Sequence, residues 1–350
     1  MNFILKNKEK LRSVFIVTLS GVIVAPVFTA ITFGLNPVTL LKGLLIGFMI
    51  TFVSSLIENF VFKNNFNKLK FSVTLFIRTI FYIFIISFSV LTVWVVHESS
   101  LNDESLLNTI KSEDFRKFIL TGDFKNIFFF AIAASFVINF FMQINSLLGK
   151  KVLLNYITGK YHKPRIEFRT FMFLDLTSST TIAEKLGPVK YHNFINNFFF
   201  DIDEAIVKFK GEIYQYVGDE VIVSWIDNTG FEKNSCVNCF LEMKNIISRL
   251  SKNYINRFGY IPEFKAGVHY GEVVTGEIGD SKKEIVFHGD VLNTASRIQA
   301  FSKTLDKDIL ISKEVQRKLN KESNMRIENI GKYKLKGKEI ELELFSVEFF

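Results

Sequence analysis

Four long apolar stretches in the first 150 residues constrain the possible folds of this chain more than any other feature of its sequence. The first, Ser13 to Phe33, has 21 residues and no charged side chain, and a helix of about 20 apolar residues can cross a bilayer. The second runs from about Leu41 to Phe62 and the third from about Phe71 to Val96, whereas the fourth, about Ile127 to Met142, is shorter. The pattern predicts a membrane domain with four spans, or with three if the fourth stretch does not cross.

Basic residues mark one side of this predicted membrane domain. Lys and Arg are concentrated at positions 6–12, 63–70 and 150–151, which all fall on the same side if there are four spans. An excess of positive charge marks the cytoplasmic side, and the loop at 97–126 on the other side has six acidic residues against four basic ones. We therefore expect a multi-pass protein of the inner (plasma) membrane with both termini in the cytoplasm.

Charge and cysteine content argue against two other classes of protein. The formal net charge is +8, but the basic residues form no run interleaved with aromatic residues, so we expect no nucleic-acid partner. Much of the positive excess lies beside the apolar stretches, as is usual in membrane proteins. Cys236 and Cys239 have Cys-x-x-Cys spacing without a second pair or a nearby His, which favours a helix in a reducing compartment over a zinc site.

A linker and a soluble domain follow the apolar stretches. Between roughly Ile144 and Arg165, apolar residues recur at intervals of four and seven, which predicts a short amphipathic helix that pairs with its copy. We therefore predict a transmembrane domain at 1–143, a coupling linker at 144–167 and a soluble domain at 168–350.

Strand and helix patterns alternate in the soluble domain. Apolar runs rich in β-branched and aromatic residues predict strands at 170–174, 212–217, 221–225, 264–269, 273–278, 309–311 and 341–347. Amphipathic segments predict helices at 180–186, 189–208, 234–258, 291–301 and 313–319. Because strands and helices alternate around two hairpins, we expect an α+β sandwich.

Three short motifs in the soluble domain contain polar residues that suit phosphoryl chemistry. In the first, an apolar strand ends on Asp175 and a Ser/Thr cluster follows. In the second, a hairpin turns at Gly218 and Asp219, which can place the two aspartates side by side on neighbouring strands. Such a pair binds hard divalent cations through oxygen. In the third, Asn293 and Arg297 are four residues apart and so share one face of a helix.

Together these motifs resemble the class III adenylate and guanylate cyclases, whose catalytic domain has a strand-Asp, a Gly-Asp hairpin and Asn-x-x-x-Arg in this order. The resemblance covers about residues 168 to 350 and implies a ferredoxin-like βαββαβ core. It implies a membrane-bound adenylate cyclase that converts ATP to 3′,5′-cyclic AMP and pyrophosphate for intracellular signalling. In this family each site lies between two catalytic domains, so it also implies a homodimer with two equivalent sites.

The resemblance implies a role for each motif residue. Asp175, Asp219 and the backbone carbonyl of Leu176 match the ligands of two Mg²⁺ or Mn²⁺ ions per site. Arg297 matches the arginine that stabilises the transition state, and Asn293 matches the asparagine that orients the ribose. Arginine suits this role because it offers a planar fork of donors to a phosphate.

Three further positions match the family's substrate contacts. Lys336, in a Leu-Lys-Gly-Lys segment, matches a triphosphate-binding lysine, although Lys-Gly-Lys is also a common surface turn. Gln215 and Val286 occupy the positions where adenylate cyclases recognise the purine with a lysine and with an aspartate or threonine. Neither residue matches, and the glutamate of guanylate cyclases is also absent. A glutamine amide can donate and accept, and the pair lacks an acidic acceptor for guanine, so ATP is favoured over GTP.

The sequence leaves alternatives open. Because Gln215 and Val286 depart from the family pattern, the chain could be a guanylate cyclase, or a catalytically silent nucleotide-binding or dimerisation module of a membrane signalling protein. The presence of both aspartates together with Asn293 and Arg297 argues against a silent module. A diguanylate cyclase has a similar Gly-Asp-Glu hairpin, but the flanking valines break its motif and the Asn-x-x-x-Arg helix has no role in it.

Overall fold

The computed structural model describes residues 2–62, 69–120, 122–149, 151–320, 322, 325–335 and 341–350. The chain divides into two compact units, Met1–Leu148 and Gly149–Phe350. The basic segment 63–68, Lys150 and Lys336 lie outside the described residues.

In the described part of the first unit, all regular secondary structure is helical. Its helices are α1 (Asn2–Phe33), α2 (Pro37–Ile57), α3 (Phe71–Leu101), α4 (Leu106–Lys111), α5 (Glu113–Leu120) and α6 (Asp123–Leu148), and a π-helical turn at Glu58–Phe62 extends α2. Among the described residues, four segments are long and apolar enough to cross a membrane, namely Lys10–Ile31, Pro37–Phe62, Phe71–Leu101 and Glu113–Asn145. The prediction of four apolar helices is confirmed, and the fourth is longer than its uncharged stretch suggested.

Small and polar residues join the helices of the first unit. A β-carbon at Gly47 of α2 would overlap the backbone of Gly21 in α1, so glycine allows these helices to approach closely. Glu58 accepts a hydrogen bond from Tyr82 (3.2 Å) and pairs with Arg78 (3.1 Å), both on α3. Ionisable groups in apolar surroundings require such partners, because an unpaired buried charge is costly.

The second unit is a mixed sheet covered by helices. Its strands are β1 (Arg165–Leu176), β2 (Glu212–Val217), β3 (Glu220–Ile226), β4 (Phe264–Ile278), β5 (Glu284–His288), β6 (Ile309–Ser312), β7 (Met325–Tyr333) and β8 (Leu342–Phe349). Its helices are α7 (Val152–Ile157), α8 (Ser179–Leu186), α9 (Pro188–Lys208), α10 (Ser235–Phe258), α11 (Asp290–Thr304) and α12 (Lys313–Gln316).

The strand order confirms the ferredoxin-like core. The sheet runs β2-β3-β1-β4-β6-β8-β7, and β5 pairs with β4 outside this path. Within it, β1, α9, β2, β3, α10 and β4 form the βαββαβ unit, with β1 between β3 and β4. Pairing is antiparallel throughout except between β4 and β6.

Side chains of β1 alternate between two hydrophobic clusters, because successive residues of a strand point to opposite faces. Met172 and Leu174 belong to the larger cluster, in which α9 and α10 pack on one face of the sheet. Phe171 and Phe173 belong to the smaller one, which includes Val291 and other residues of α11 on the opposite face. All four of these β1 side chains are buried, and each such burial contributes about 1.5–3 kcal/mol. Strand β1, which carries Asp175 near its end, is therefore packed on both faces.

Two details of the predicted strands were wrong. Residues 264–269 and 273–278 belong to one continuous strand, because β1 starts at Arg165 and pairs with β4 along its whole length, with Gly271 opposite Arg169. The predicted second hairpin is instead formed by β4 and β5. Strands β5 and β7 were not predicted, and both contain charged residues that weaken the apolar alternation.

The predicted linker helix is also interrupted. Helix α6 ends at Leu148 and α7 begins at Val152. Between them Gly149 and Lys151 have positive φ values of 93° and 64°, and left-handed backbone at two positions cannot continue a right-handed helix. The apolar spacing through this segment therefore belongs to two separate helices.

Candidate active site

Asp175 lies near the end of β1. Its neighbours on the adjacent strands are Glu220 of β3 and Lys265 of β4. After Leu176 the chain leaves the sheet through Thr177, whose amide donates to the carbonyl of Glu263 (2.8 Å). The Asp175 side chain is 18% exposed, so it is accessible but largely enclosed.

A tight hairpin brings Asp219 to the same place. Val217 of β2 pairs with Glu220 of β3, which leaves Gly218 and Asp219 as the two residues of the turn. Gly218 has a φ of 63°, a conformation that glycine adopts without strain and that short hairpins require. Asp219 is half-buried and precedes Glu220, the register partner of Asp175. The hairpin therefore fixes the two aspartates beside each other.

The ionisation of these carboxylates reflects their crowding. Burial raises the pKa of Asp175, and the carboxylate of Asp219 raises it further through charge and a hydrogen bond, whereas Lys303 lowers it. Burial, with the charges of Asp175 and Asp219, raises the pKa of Glu220 to about 7. Groups of like charge held this close disfavour full ionisation. A bound cation would therefore favour the ionised form of these carboxylates.

Two residues near the aspartates were not identified from the sequence. Lys303, in the last turn of α11, forms an ion pair with Asp175. Tyr191 of α9 lies close enough that, after burial, the charges of both aspartates raise its pKa. Neither residue belongs to a motif, and both come near the aspartates only through the packing of α9 and α11. Their positions could be found only from the fold.

Helix α11 presents Asn293 and Arg297 on its outer side. Asn293 is exposed and Arg297 half-buried, whereas Thr294, Ala295 and Ile298 between and beyond them are buried. The predicted sharing of one helix face is confirmed by the helix at Asp290–Thr304. Lys303, which touches Asp175, comes six residues after Arg297, or about 9 Å further along the helix axis at about 1.5 Å per residue.

A glycine sets the closeness of α11 to the sheet. A β-carbon at Gly267 of β4 would overlap the backbone of Gln299 in α11. Any larger residue would push the helix outwards, together with Asn293, Arg297 and Lys303. Gly267 therefore sets the distance between α11 and the strand that carries Asp175.

Gln215 and Val286 lie on two strands that meet at one corner of the domain. The neighbours of these residues, Tyr214 of β2 and Phe287 of β5, are in contact with ring centroids 4.7 Å apart. Gln215 is exposed and Val286 is half-buried, opposite Gly276 of β4. The structure thus brings the elements of the two predicted purine-contact positions together.

A buried arginine, Arg169, contacts both of the strands that meet at this corner. The guanidinium of Arg169 lies 4.5 Å from the centre of the Phe287 ring. It donates hydrogen bonds to Glu167 (2.9 Å), Glu212 (3.2 Å) and Ser224 (3.2 Å). Arg169 is 3% exposed, and the charge of a buried arginine must be matched by such partners. The network therefore ties β1, β2, β3 and β5 together beside Gln215.

The donor chemistry of the aspartate pair fits a hard divalent cation. Among the described residues, no group of three or more His, Cys, Asp and Glu side chains is arranged to hold a metal ion. Mg²⁺ is commonly held by one or two carboxylates together with substrate phosphates and water, and does not need an all-protein cage. Two aspartates and a backbone carbonyl are thus a suitable oxygen donor set, and they do not suit zinc.

The sequence of the second unit is similar to that of known proteins. The model of the adenylate and guanylate cyclase catalytic domain matches residues 161–348. "Adenylate cyclase 2" of Rhizobium meliloti (strain 1021) is 31% identical over 222 residues, which cover 63% of this chain and 61% of that protein. A receptor-type guanylate cyclase of Caenorhabditis elegans is 25% identical over 171 residues, 48% of this chain and 13% of that protein. The chain thus spans less than two thirds of either relative.

A solved structure shares the fold. A bacterial light-regulated adenylyl cyclase aligns with a TM-score of 0.53 at 18% identity, over 63% of this chain and 64% of that one. At this identity the likeness concerns the fold alone. The family match extends over more than half of the chain, from before β1 to within β8. The chain therefore belongs to the class III adenylate and guanylate cyclase family.

Proposed function

We propose that this chain is a membrane-anchored adenylate cyclase that forms 3′,5′-cyclic AMP and pyrophosphate from ATP. The observation that carries the proposal is the placement of Asp175 and Asp219 beside each other, at the end of β1 and in the β2–β3 turn. The same chain has Asn293 and Arg297 on the outer side of α11. Together they supply metal ligands, a ribose contact and a phosphate contact.

Asp175 and Asp219, with the carbonyl of Leu176, would hold two Mg²⁺ or Mn²⁺ ions. Bound there, the ions would lower the pKa of the attacking ribose hydroxyl and neutralise the triphosphate. The crowding of carboxylates described above supports this role, because the repulsion between them is relieved by bound positive charge.

Arg297 and Asn293 would act on the nucleotide. The guanidinium of Arg297 would donate two hydrogen bonds to the α-phosphate, where negative charge increases as the ring closes. Asn293 would hold the ribose so that its 3′-hydroxyl points at that phosphate. Lys336 would bind the triphosphate, a role that rests on its sequence motif alone.

The active unit would be a homodimer. In this chain Lys303 of α11 pairs with Asp175, and Arg297 lies about 9 Å from Lys303 along the same helix. This spacing favours a site in which Asn293 and Arg297 serve the aspartates of a second copy. A symmetric pair then has two equivalent sites.

The rest of the chain would anchor this activity at the membrane. We propose a transmembrane domain at 1–143, a coupling linker at 144–167 and a catalytic domain at 168–350, in the inner (plasma) membrane with the catalytic domain in the cytoplasm. The four long apolar helices support membrane anchoring, and the basic segments support this orientation.

The test is a conversion assay with the purified full-length chain. ATP and GTP are each supplied with Mg²⁺ or Mn²⁺, and the products are identified by chromatography and mass. We expect metal-dependent 3′,5′-cyclic AMP and pyrophosphate, with ATP preferred. A preference for GTP would establish the alternative, a guanylate cyclase, which the uncharged pair Gln215 and Val286 leaves open. No product with either nucleotide, while nucleotide still binds, would favour a silent module.

Gln215 gives a prediction about purine choice. Gln215→Lys should raise the preference for ATP by adding a donor beside adenine N1, and Gln215→Glu should shift preference towards GTP. A mismatched base leaves a polar group unpaired at about 1–3 kcal/mol, or about 5- to 150-fold in relative kcat/KM. The measurement is the ratio of kcat/KM for the two nucleotides with one metal.

Val286→Leu provides a matched control, because neither side chain can form a hydrogen bond. It should move the ATP to GTP ratio less than either substitution of Gln215. If both Gln215 variants change the ratio by less than about twofold, well below the cost of one unpaired group, this glutamine does not recognise the base.

A further inference from the structure

Lys303 brings a positive charge to the cluster of carboxylates. Its ammonium group is paired with the Oδ2 atom of Asp175, and the two side chains are 41% and 18% exposed. Asp219 and Glu220 are the other carboxylates of this cluster. Lys303 therefore neutralises part of a site that we propose binds metal.

A second ion pair fixes the position of Lys303. Lys265, the partner of Asp175 on β4, contacts the carboxylate of Asp306, three residues after Lys303. Lys307 follows and pairs with Glu348 of β8 (3.2 Å). The segment that follows α11 is thus joined to β4 and to β8, which both lie on the same side of β1 in the sheet. This packing sets the position of the Lys303 backbone near Asp175. The Lys303 side chain is exposed and can still rotate into solvent.

An ammonium group and a divalent cation on the same carboxylate repel each other. A metal ion that uses Asp175 must therefore either tolerate the neighbouring charge of Lys303 or move it into solvent. Both alternatives reduce the affinity for the metal. The exposed fraction of the Lys303 side chain, 41%, leaves the second route open.

We propose that Lys303 is a built-in competitor for the catalytic metal, which neutralises Asp175 in the metal-free chain and is displaced when a divalent cation binds. The proposal rests on the proposed function in one respect, that Asp175 is a metal ligand. Lys303 would thereby raise the metal concentration that the enzyme requires. It is a positioning residue, since it acts on Asp175 and not on the nucleotide.

The experiment measures Mn²⁺ binding to the full-length chain without nucleotide, by the paramagnetic resonance signal of free Mn²⁺. Lys303→Met removes the charge and keeps the length of the side chain, whereas Lys303→Arg keeps the charge. We expect Lys303→Met to bind Mn²⁺ about fivefold more tightly than the parent, the equivalent of one part-exposed ion pair. Lys303→Arg should bind like the parent.

Thermal unfolding gives a second readout. In EDTA, Lys303→Met should melt at a lower temperature than the parent, because the carboxylates lose their neutralising partner. Addition of Mn²⁺ should then raise its melting temperature by more than that of the parent, because tighter binding stabilises the folded state more. Lys244→Met, which removes a pair with Asp308 (2.9 Å) elsewhere on the surface, is the matched control and should not alter Mn²⁺ affinity.

Asp175→Asn tests whether Asp175 is a metal ligand, independently of the role of Lys303. If Asp175→Asn leaves Mn²⁺ binding unchanged, or the parent binds none, the assignment of Asp175 as a metal ligand fails and the role of Lys303 fails with it. If Asp175→Asn weakens binding but Lys303→Met binds within twofold of the parent or more weakly, only the competition is overturned. Weaker binding would mean that Lys303 holds Asp175 in place for the metal.

Discussion

Asp175→Ala and Asp219→Ala are each expected to abolish cyclic nucleotide formation while the protein stays folded. Each substitution removes one of two proposed metal ligands, and bound metal provides several kcal/mol of transition-state stabilisation, so we expect a loss of at least about a hundredfold. Activity is measured under saturating nucleotide with Mg²⁺ and with Mn²⁺. Turnover within tenfold of the parent in either variant would contradict the two-metal assignment.

The folded state should tolerate both changes. The pKa of Asp175 is raised in the fold, so above its folded pKa its ionised form reduces stability relative to the unfolded chain. Loss of a carboxylate therefore relieves repulsion at neutral pH, and the melting temperature without metal should not fall. Asp308→Ala, which removes an exposed aspartate paired with Lys244, is the control for activity and should behave like the parent. Its surface ion pair is worth about 1 kcal/mol or less.

The aspartate site could be predicted from sequence because its signals are local. An apolar run that ends on Asp175 and a Gly-Asp turn between two apolar runs are each contained within a few residues. The two-residue turn fixes the register of β2 and β3, and register then brings Asp219 beside Asp175. Strand pairing alone was enough to place both carboxylates.

Residues that meet through packing could not be predicted in the same way. Lys303 reaches Asp175 only because Gly267 lets α11 lie close to the sheet and Lys265 holds the segment after it. The contact between Tyr214 and Phe287 depends on β5. This strand was not predicted, because its charged residues weaken the apolar alternation. Such long-range contacts have no periodic pattern in the sequence, since each is set by the fold as a whole.

The continuous strand β4 shows a limit of local signals. Tyr270, Gly271 and Glu272 look like a turn between two apolar runs, yet they pair with Thr170, Arg169 and Phe168 of β1, respectively. These residues of β4 are paired because β1 begins at Arg165 and so extends alongside them. Arg169 of this extension is buried and forms hydrogen bonds with Glu167 and Glu212. A charged residue in a strand is a poor strand signal until its buried partners are known.

We propose that one site is shared between two copies of the chain, with aspartates from one and Asn293 and Arg297 from the other. Asp219→Ala and Arg297→Ala should each be inactive alone. In a mixed dimer, one interface collects both substitutions and the other keeps an intact set. If chains exchange freely and pair at random, about a quarter of all sites should be whole.

The measurement uses the two variants with different affinity tags, co-expressed and purified through both tags so that only mixed dimers remain. We expect about half of the parent's activity per mixed dimer, because one of its two sites is complete. Each variant purified alone should stay inactive. Mixed dimers that contain both chains and still form no cyclic nucleotide would contradict a site shared between two copies.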